Sequence, residues 1–265
     1  MSGNITVYVV SHDQNDIDQI VSDDVYTPLF VGCNGKENFG YCSDDTGDNI
    51  SNKNNSYCEL TGLYWMWKNA EADIIGLVHY RRYFAKNKHG KRLNKQDIET
   101  FLGDYDIILP KRTNSLFGSV YNDYAHWNYG KDLDLCGEVI SELFPEYSNS
   151  FDKVMNGDSL YYYNMFIAPK NIISGYCEWV FPILSEVEKR VDMTGYDNYQ
   201  KRIYGFLTER LFDVWMDKQD LKVKECDLKV LGRLLNIKNF IAKRWIVRQL
   251  YVKFYVGMLH KDAKR

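Results

Sequence analysis

The 265-residue chain has five prolines, no CxxC pair among six cysteines, no internal repeat and no apolar run of bilayer-spanning length. Cysteines at 33, 42, 58, 136, 177 and 226 keep neither zinc-ligand spacing nor the density of a disulfide scaffold. With no long apolar core near the N-terminus to act as a secretion signal, the expectation is a reduced, cytoplasmic protein. A Gly-rich Walker-type phosphate loop is also missing, which argues against a P-loop phosphoryl transferase. The formal net charge is only -3. That argues against general nucleic-acid binding over the whole surface.

The small net charge hides a division. Residues 231–265 hold nine Lys and Arg against one acid, so this stretch carries +8 and the other 230 residues carry -11. Its cations are interleaved with Trp245, Tyr251, Phe254 and Tyr255. This composition suits a helical segment lying on an anionic membrane surface, peripheral to the inner face of the cell membrane. A helix packed on the domain with a solvated face is the competing reading. The expected organisation is one main domain, 1–230, followed by the basic helical tail, 231–265. Hydrophobic residues make up 45% of the chain, with 21 Tyr and 6 Trp among them, ample for a large core.

Residues 5–10 (ITVYVV) read as an opening strand ending in the polar triplet Ser11, His12, Asp13, and Phe30 and Val31 as a second short strand closed by Gly32. The Gly-, Asn- and Asp-rich stretch 34–55 reads as a long functional loop. Ser56 and Glu59 form a capping-box pattern at the head of a helix whose apolar face is Leu60, Leu63, Tyr64 and Trp67. Further helices are expected from Asn94, over 132–143, over 171–191 with Pro182 inside, and over 199–216. Strands are expected at 105–109, 161–168 and 221–230, and 111–131 reads as a substrate loop or lid.

The densest chemistry lies in 74–84, IIGLVHYRRYF. A β-branched apolar run without helical period predicts a strand buried on both faces of a mostly parallel sheet. His79, Tyr80, Arg81, Arg82 and Tyr83 then fall at its carboxyl end, where open α/β sheets bind ligands. Two guanidiniums there suit phosphate oxygens. The competing reading sends one arginine to solvent and the other to a structural carboxylate, with His79 a hydrogen-bonded core histidine.

Several segments together resemble the bacterial DUF 4422 family, whose members are glycosyltransferases of capsular, exopolysaccharide and O-antigen synthesis. The likeness is carried by VVSH at 9–12, DDTGDNIS at 44–51, YCELTGLYWMWKN at 57–69, IIGLVHYRRYF at 74–84, NMFIAPK at 164–170 and GFLTERLF at 205–212. It implies an α/β fold with a single Rossmann-like, GT-A-like nucleotide-sugar transferase domain. It also implies a nucleoside diphosphate sugar donor, uridine-linked and within this family carrying galactofuranose, and a lipid-linked or growing polysaccharide acceptor. Enzymes of this fold usually hold the diphosphate with a divalent metal on an Asp-x-Asp after an apolar strand. His79, Tyr80 and Arg81 occupy that place here, so no cofactor is expected, with manganese or magnesium as the alternative. A literal Asp-x-Asp at 104–106 precedes its strand.

On this basis Val10, Ser11, His12, Asp44, Asp45, Asn54, Arg81, Arg82 and Tyr83 are expected on the donor side. His126, Trp127 and Asn164 are expected on the acceptor side, and Glu209, Asp158 and His79 are the candidate acid-base groups. Glu59 reads as a helix cap, and Glu209 lies on the polar side of its helix, where plain solvent is the competing environment. The competing function is a non-catalytic carbohydrate- or nucleotide-binding module.

Overall fold

The computed structural model describes residues 3–231; the basic stretch expected to meet a membrane lies beyond them, save for Leu231. Contacts divide the chain into Met1–Val230 and Leu231–Arg265, and only the first is described below.

β1 (Ile5–Ser11) is buried at six of seven positions, five of them apolar, as suits a central strand. After the single-turn α1 (Gln14–Ile17), β2 (Tyr26–Phe30) and β3 (Cys42–Ser43) add in parallel on one side of β1. The short α2 (Asn54–Tyr57) and α3 (Leu60–Asn69) then carry the chain back to β4 (Ile74–His79), parallel to β1 on its other side. The order is therefore β3-β2-β1-β4, and the reversal of direction falls between β1 and β4. Val10 stands opposite His79, Ser11 opposite Phe30 and Phe30 opposite Ser43, so the carboxyl ends of all four strands share one edge.

The second half makes the sheet mixed where the sequence reading expected it mostly parallel. β5 (Arg82–Ala85) turns back from β4; α4 (Lys95–Asp104) and β6 (Ile107–Pro110) follow, then the two-residue β7 (Thr113–Asn114). Helices α5 (Val120–Trp127), α6 (Gly130–Leu143) and α7 (Ser148–Asn156) lead to β8 (Ser159–Leu160) and β9 (Phe166–Pro169). The long α8 (Lys170–Arg190), α9 (Ile203–Met216) and β10 (Val223–Val230) complete the unit. β9 is antiparallel to β4 and β6, β10 is parallel to β6, and β10 is antiparallel to β5.

Strand alternation builds two cores. Tyr8, Val10, Ile75 and Leu77 face the larger, made with α3, α6, α8 and α9. Val7, Val9, Ile74 and Val78 face the smaller, which includes Ile17 of α1 and Ile98 of α4. The expected stripe of α9, Ile203, Leu207, Leu211 and Val214, is buried. The capping box at the head of α4 is formed by Asn94 and Asp97. No helix among the described residues is long and apolar enough to cross a membrane.

Three expectations are corrected. Residues 111–131 are not a continuous loop, because Ser119 caps α5 and the buried Asp123 carboxylate accepts N–H bonds from Leu116 and Phe117. Ser56 caps no helix; its hydroxyl donates to Lys53 O, and the chain breaks at Cys58, whose φ is +52°. The strand expected over 161–168 is extended only from Phe166, for a reason that belongs to the site.

Candidate active site

A cleft of about 560 Å³ opens at the shared carboxyl edge of β1 and β4. One wall is the strand edge, with Val10, Ser11, His12, His79 and Arg82; the other comes from the turn Asn54–Glu59 and from Arg202 to Glu209 on and before α9. Such a crevice at the switch point of an α/β sheet is where ligands bind.

The turn between β4 and β5 separates the two arginines. Arg82 lies 4.7 Å over the Tyr163 ring, in the cleft. Arg81 turns the other way, stacks on Tyr80 and pairs with Asp16 at 2.9 Å. Arg81 thus leaves the expected donor side, because it sits in the tight turn between the two strands while Arg82 opens β5. Tyr83 leaves it as well, 2% exposed in the core and edge-on to Tyr26. The second cation of the cleft is Arg202, packed over Phe206 and donating from Nε to Cys58 Sγ at 3.2 Å. Sequence reasoning missed Arg202. Its signal was the spacing of Arg202, Phe206 and Glu209, which is one face of a helix.

Tyr163 and Asn164 both have left-handed backbone, with φ +81° and +51°. Each costs on the order of 1–3 kcal/mol, and such strain persists only where surroundings impose it. Here they do. Tyr161 N–H donates to Asp213 Oδ2 and Tyr163 N–H to Glu209 Oε1, both at 2.9 Å. Tyr163 O accepts from His79 Nε2 at 2.8 Å. Asn164 Nδ2 donates to Glu59 Oε1 at 2.7 Å and to Gly205 O at 3.1 Å. Two carboxylates one helical turn apart on α9 therefore capture the N–H groups that a strand ladder would have used.

The electrostatics follow from burial. Burial holds His79 below the ordinary histidine range, opposed by the Glu59 charge and the Tyr163 carbonyl and reinforced by Arg82 and Arg202. Because a carbonyl only accepts, Nε2 of His79 carries a proton, and burial favours the ring without a second one at Nδ1. Burial raises Glu209 above the usual carboxylate range, although Arg210 and the Tyr163 N–H pull it down. Glu209 Oε2 pairs with Arg210 at 2.8 Å, the two side chains being 15% and 6% exposed. Burial also pushes the Cys58 thiol up to about 11, which makes it a poor nucleophile.

The remaining predicted residues divide sharply. Val10, Ser11, His12, Asn54, His79, Arg82 and Glu209 line the cleft. Asp44 does not: it is fully buried and accepts from Gly32 N, Cys33 N and Ser51 Oγ, fastening the loop. Asp45 accepts from Ser43 Oγ outside the cleft. Asn164 stands behind Glu59 and does not line the cleft. Asp158 is exposed on a separate groove of about 410 Å³, beside Arg112 and Lys153. His126 and Trp127 also lie outside the cleft, the histidine stacked on Phe117 at 3.8 Å. Glu59 makes no cap bond and points its carboxylate into the cleft.

His79, Tyr80 and Arg81, at the end of β4, offer no carboxylate pair. Among the described residues no three His, Cys, Asp or Glu side chains are grouped to hold a metal ion. Asp106, of the literal Asp-x-Asp, accepts from Lys222 N at the entry to β10.

A family profile described as Domain of unknown function (DUF4422) matches residues 6–220. Among solved structures the chain is similar to that of the WbbM bifunctional glycosyltransferase in its apo form, at 30% identity and a TM-score of 0.78. The likeness covers 87% of this chain and 46% of that one, so the chain spans about half the length of that protein. No curated protein matches it.

Proposed function

Since the chain belongs to the DUF4422 family, we propose that it transfers a glycosyl group from a nucleoside diphosphate sugar to a glycan acceptor, using the cleft between β1 and β4. The observation that carries this reading is that Arg82 and Arg202 line one cleft at the sheet's switch point together with two carboxylates, Glu59 and Glu209. Departure of the nucleotide places charge on its diphosphate, and fixed guanidiniums in a partly desolvated site stabilise that charge. The fold is GT-A-like in this reading. Val10, Ser11, His12 and Asn54 receive the nucleoside, which we take to be uridine, with galactofuranose as the sugar. Arg82 and Arg202 do the work that related enzymes assign to a metal. The acceptor is a lipid-linked or growing surface polysaccharide. The basic stretch 231–265 would hold the enzyme on the membrane carrying it, and this rests on composition alone.

The test is release of nucleoside diphosphate from a panel of nucleotide sugars, with calorimetric binding of UDP alongside. Arg82→Ala and Arg202→Ala are each expected to weaken UDP binding at least about tenfold, the weight of one charged hydrogen bond. Arg81→Ala should change it by less than about twofold, since Arg81 faces Asp16. Binding without release from any sugar nucleotide would identify a binding module. Activity abolished by excess chelator and restored by manganese would refute the arginine assignment.

A further inference from the structure

We infer that Glu59 is the general base that takes the proton of the acceptor hydroxyl, with Asn164 as the residue that positions it. The inference rests on the glycosyl-transfer reading above. Of the two carboxylates in the cleft, Glu209 has both oxygens engaged, Oε1 by Tyr163 N–H at 2.9 Å and Oε2 by Arg210 at 2.8 Å. Taking a proton would cancel the charge that faces Arg210, a guanidinium only 5% exposed, and leave that cation without its carboxylate. Its geometry is that of a strut.

Glu59 is arranged differently. Cys58, at φ +52°, turns the chain so that the acid at the head of α3 leaves the helix N–H groups and enters the cleft. Asn164 Nδ2 fixes Oε1 at 2.7 Å, and Oε2 accepts no hydrogen bond among the described residues. Beside it stands Gly205 of α9, whose Cα faces Cys58 and Oε2 along the same wall of the cleft. The left-handed backbone at Tyr163 and Asn164 thus serves two placements, the amide that orients Glu59 and the peptide that binds His79 and Glu209. His79 is the weaker alternative, because its Nε2–H is donated to Tyr163 O and burial disfavours its protonation at Nδ1.

In the reaction the acceptor O–H proton passes to Glu59 Oε2 as the acceptor oxygen bonds to the anomeric carbon. The bond from that carbon to the diphosphate oxygen breaks, and its electron pair stays on the diphosphate beside Arg82 and Arg202. Attack opposite the leaving group inverts the anomeric configuration.

Glu59→Gln keeps the oxygen that Asn164 needs, so its melting temperature and UDP affinity are expected to match the wild type. Release of UDP from UDP-sugars, to water or to simple glycosides, should fall at least about 100-fold, the usual weight of a positioned acid or base. Glu59→Asp should retain more activity than the Gln variant, and the product should be inverted by proton NMR. Turnover of Glu59→Gln within about fivefold of wild type, or retention of configuration, overturns the inference while leaving glycosyl transfer standing. A wild-type chain that binds UDP but releases none from any UDP-sugar overturns both.

Discussion

His79 and Glu209 show how a single residue's role is decided by what its neighbours leave it to do. His79 donates from Nε2 to a carbonyl and is held below its ordinary range by burial. Nitrogen-detected NMR at pH 6.5 is therefore expected to show a neutral ring protonated at Nε2, where an exposed histidine would be half charged. Glu209 is paired with a buried arginine whose Nε has no hydrogen-bond partner among the described residues. Removing it in Glu209→Ala leaves a guanidinium uncompensated, at a cost of about 3–5 kcal/mol. A fall in urea midpoint with unchanged slope would show this. The Glu209 reading from the helical wheel, a group off the buried stripe, was correct about direction. It did not reveal that the direction leads to Tyr163.

At the scale of elements, regular helices and strands were legible where one local pattern met no competitor. The opening strand, the α4 cap and the α9 stripe follow from alternation, capping chemistry and 3.6-residue period alone. The stretch 161–168 reads as good a strand, being aromatic and apolar, but carboxylates from a helix 46 and 52 residues away take its N–H groups. Local propensity cannot register a competitor so distant in sequence. The Gly-, Asn- and Asp-rich composition of 34–55 reads as a functional loop, and Asp44, expected on the donor side, ties its two ends together. Its junction at Gly32 is tight. With φ +65°, an added Cβ would come within 2.5 Å of Asn54 Oδ1, and that amide is pinned by Cys58 O and Thr61 Oγ1. Gly32→Ala is expected to cost about 2 kcal/mol or more, from strain plus overpacking, and to weaken UDP binding through Asn54. Chemical denaturation and calorimetry on the same sample check both parts.

The whole molecule has an acid-side signature. Burial pushes Asp213 up to about 6 despite Arg112 beside it, while an unfolded aspartate titrates near 4. Between those values the folded state binds more protons than the unfolded, so the contribution of this group is fully present below about pH 4 and is lost as pH rises through about 6. Relative to Asp213→Asn, the wild type should lose on the order of 3 kcal/mol of unfolding free energy across that window. Equal pH dependence in the two proteins would show that Asp213 stays charged in the fold.

The sequence by itself determined the α/β class, the strand that ends in His79 and most of the cleft's strand edge, because alternation and period are local and need no knowledge of the fold. Only the tertiary structure decided which arginine enters the cleft, that Arg202 joins it, and that Glu59 is no cap. Those outcomes depend on groups 40 to more than 140 residues apart in sequence bonding to each other in competition with local partners, as Asn164 does with Glu59 and Arg202 with Cys58. Such competition is settled by packing, since a buried polar group left unpaired costs more than any local preference returns.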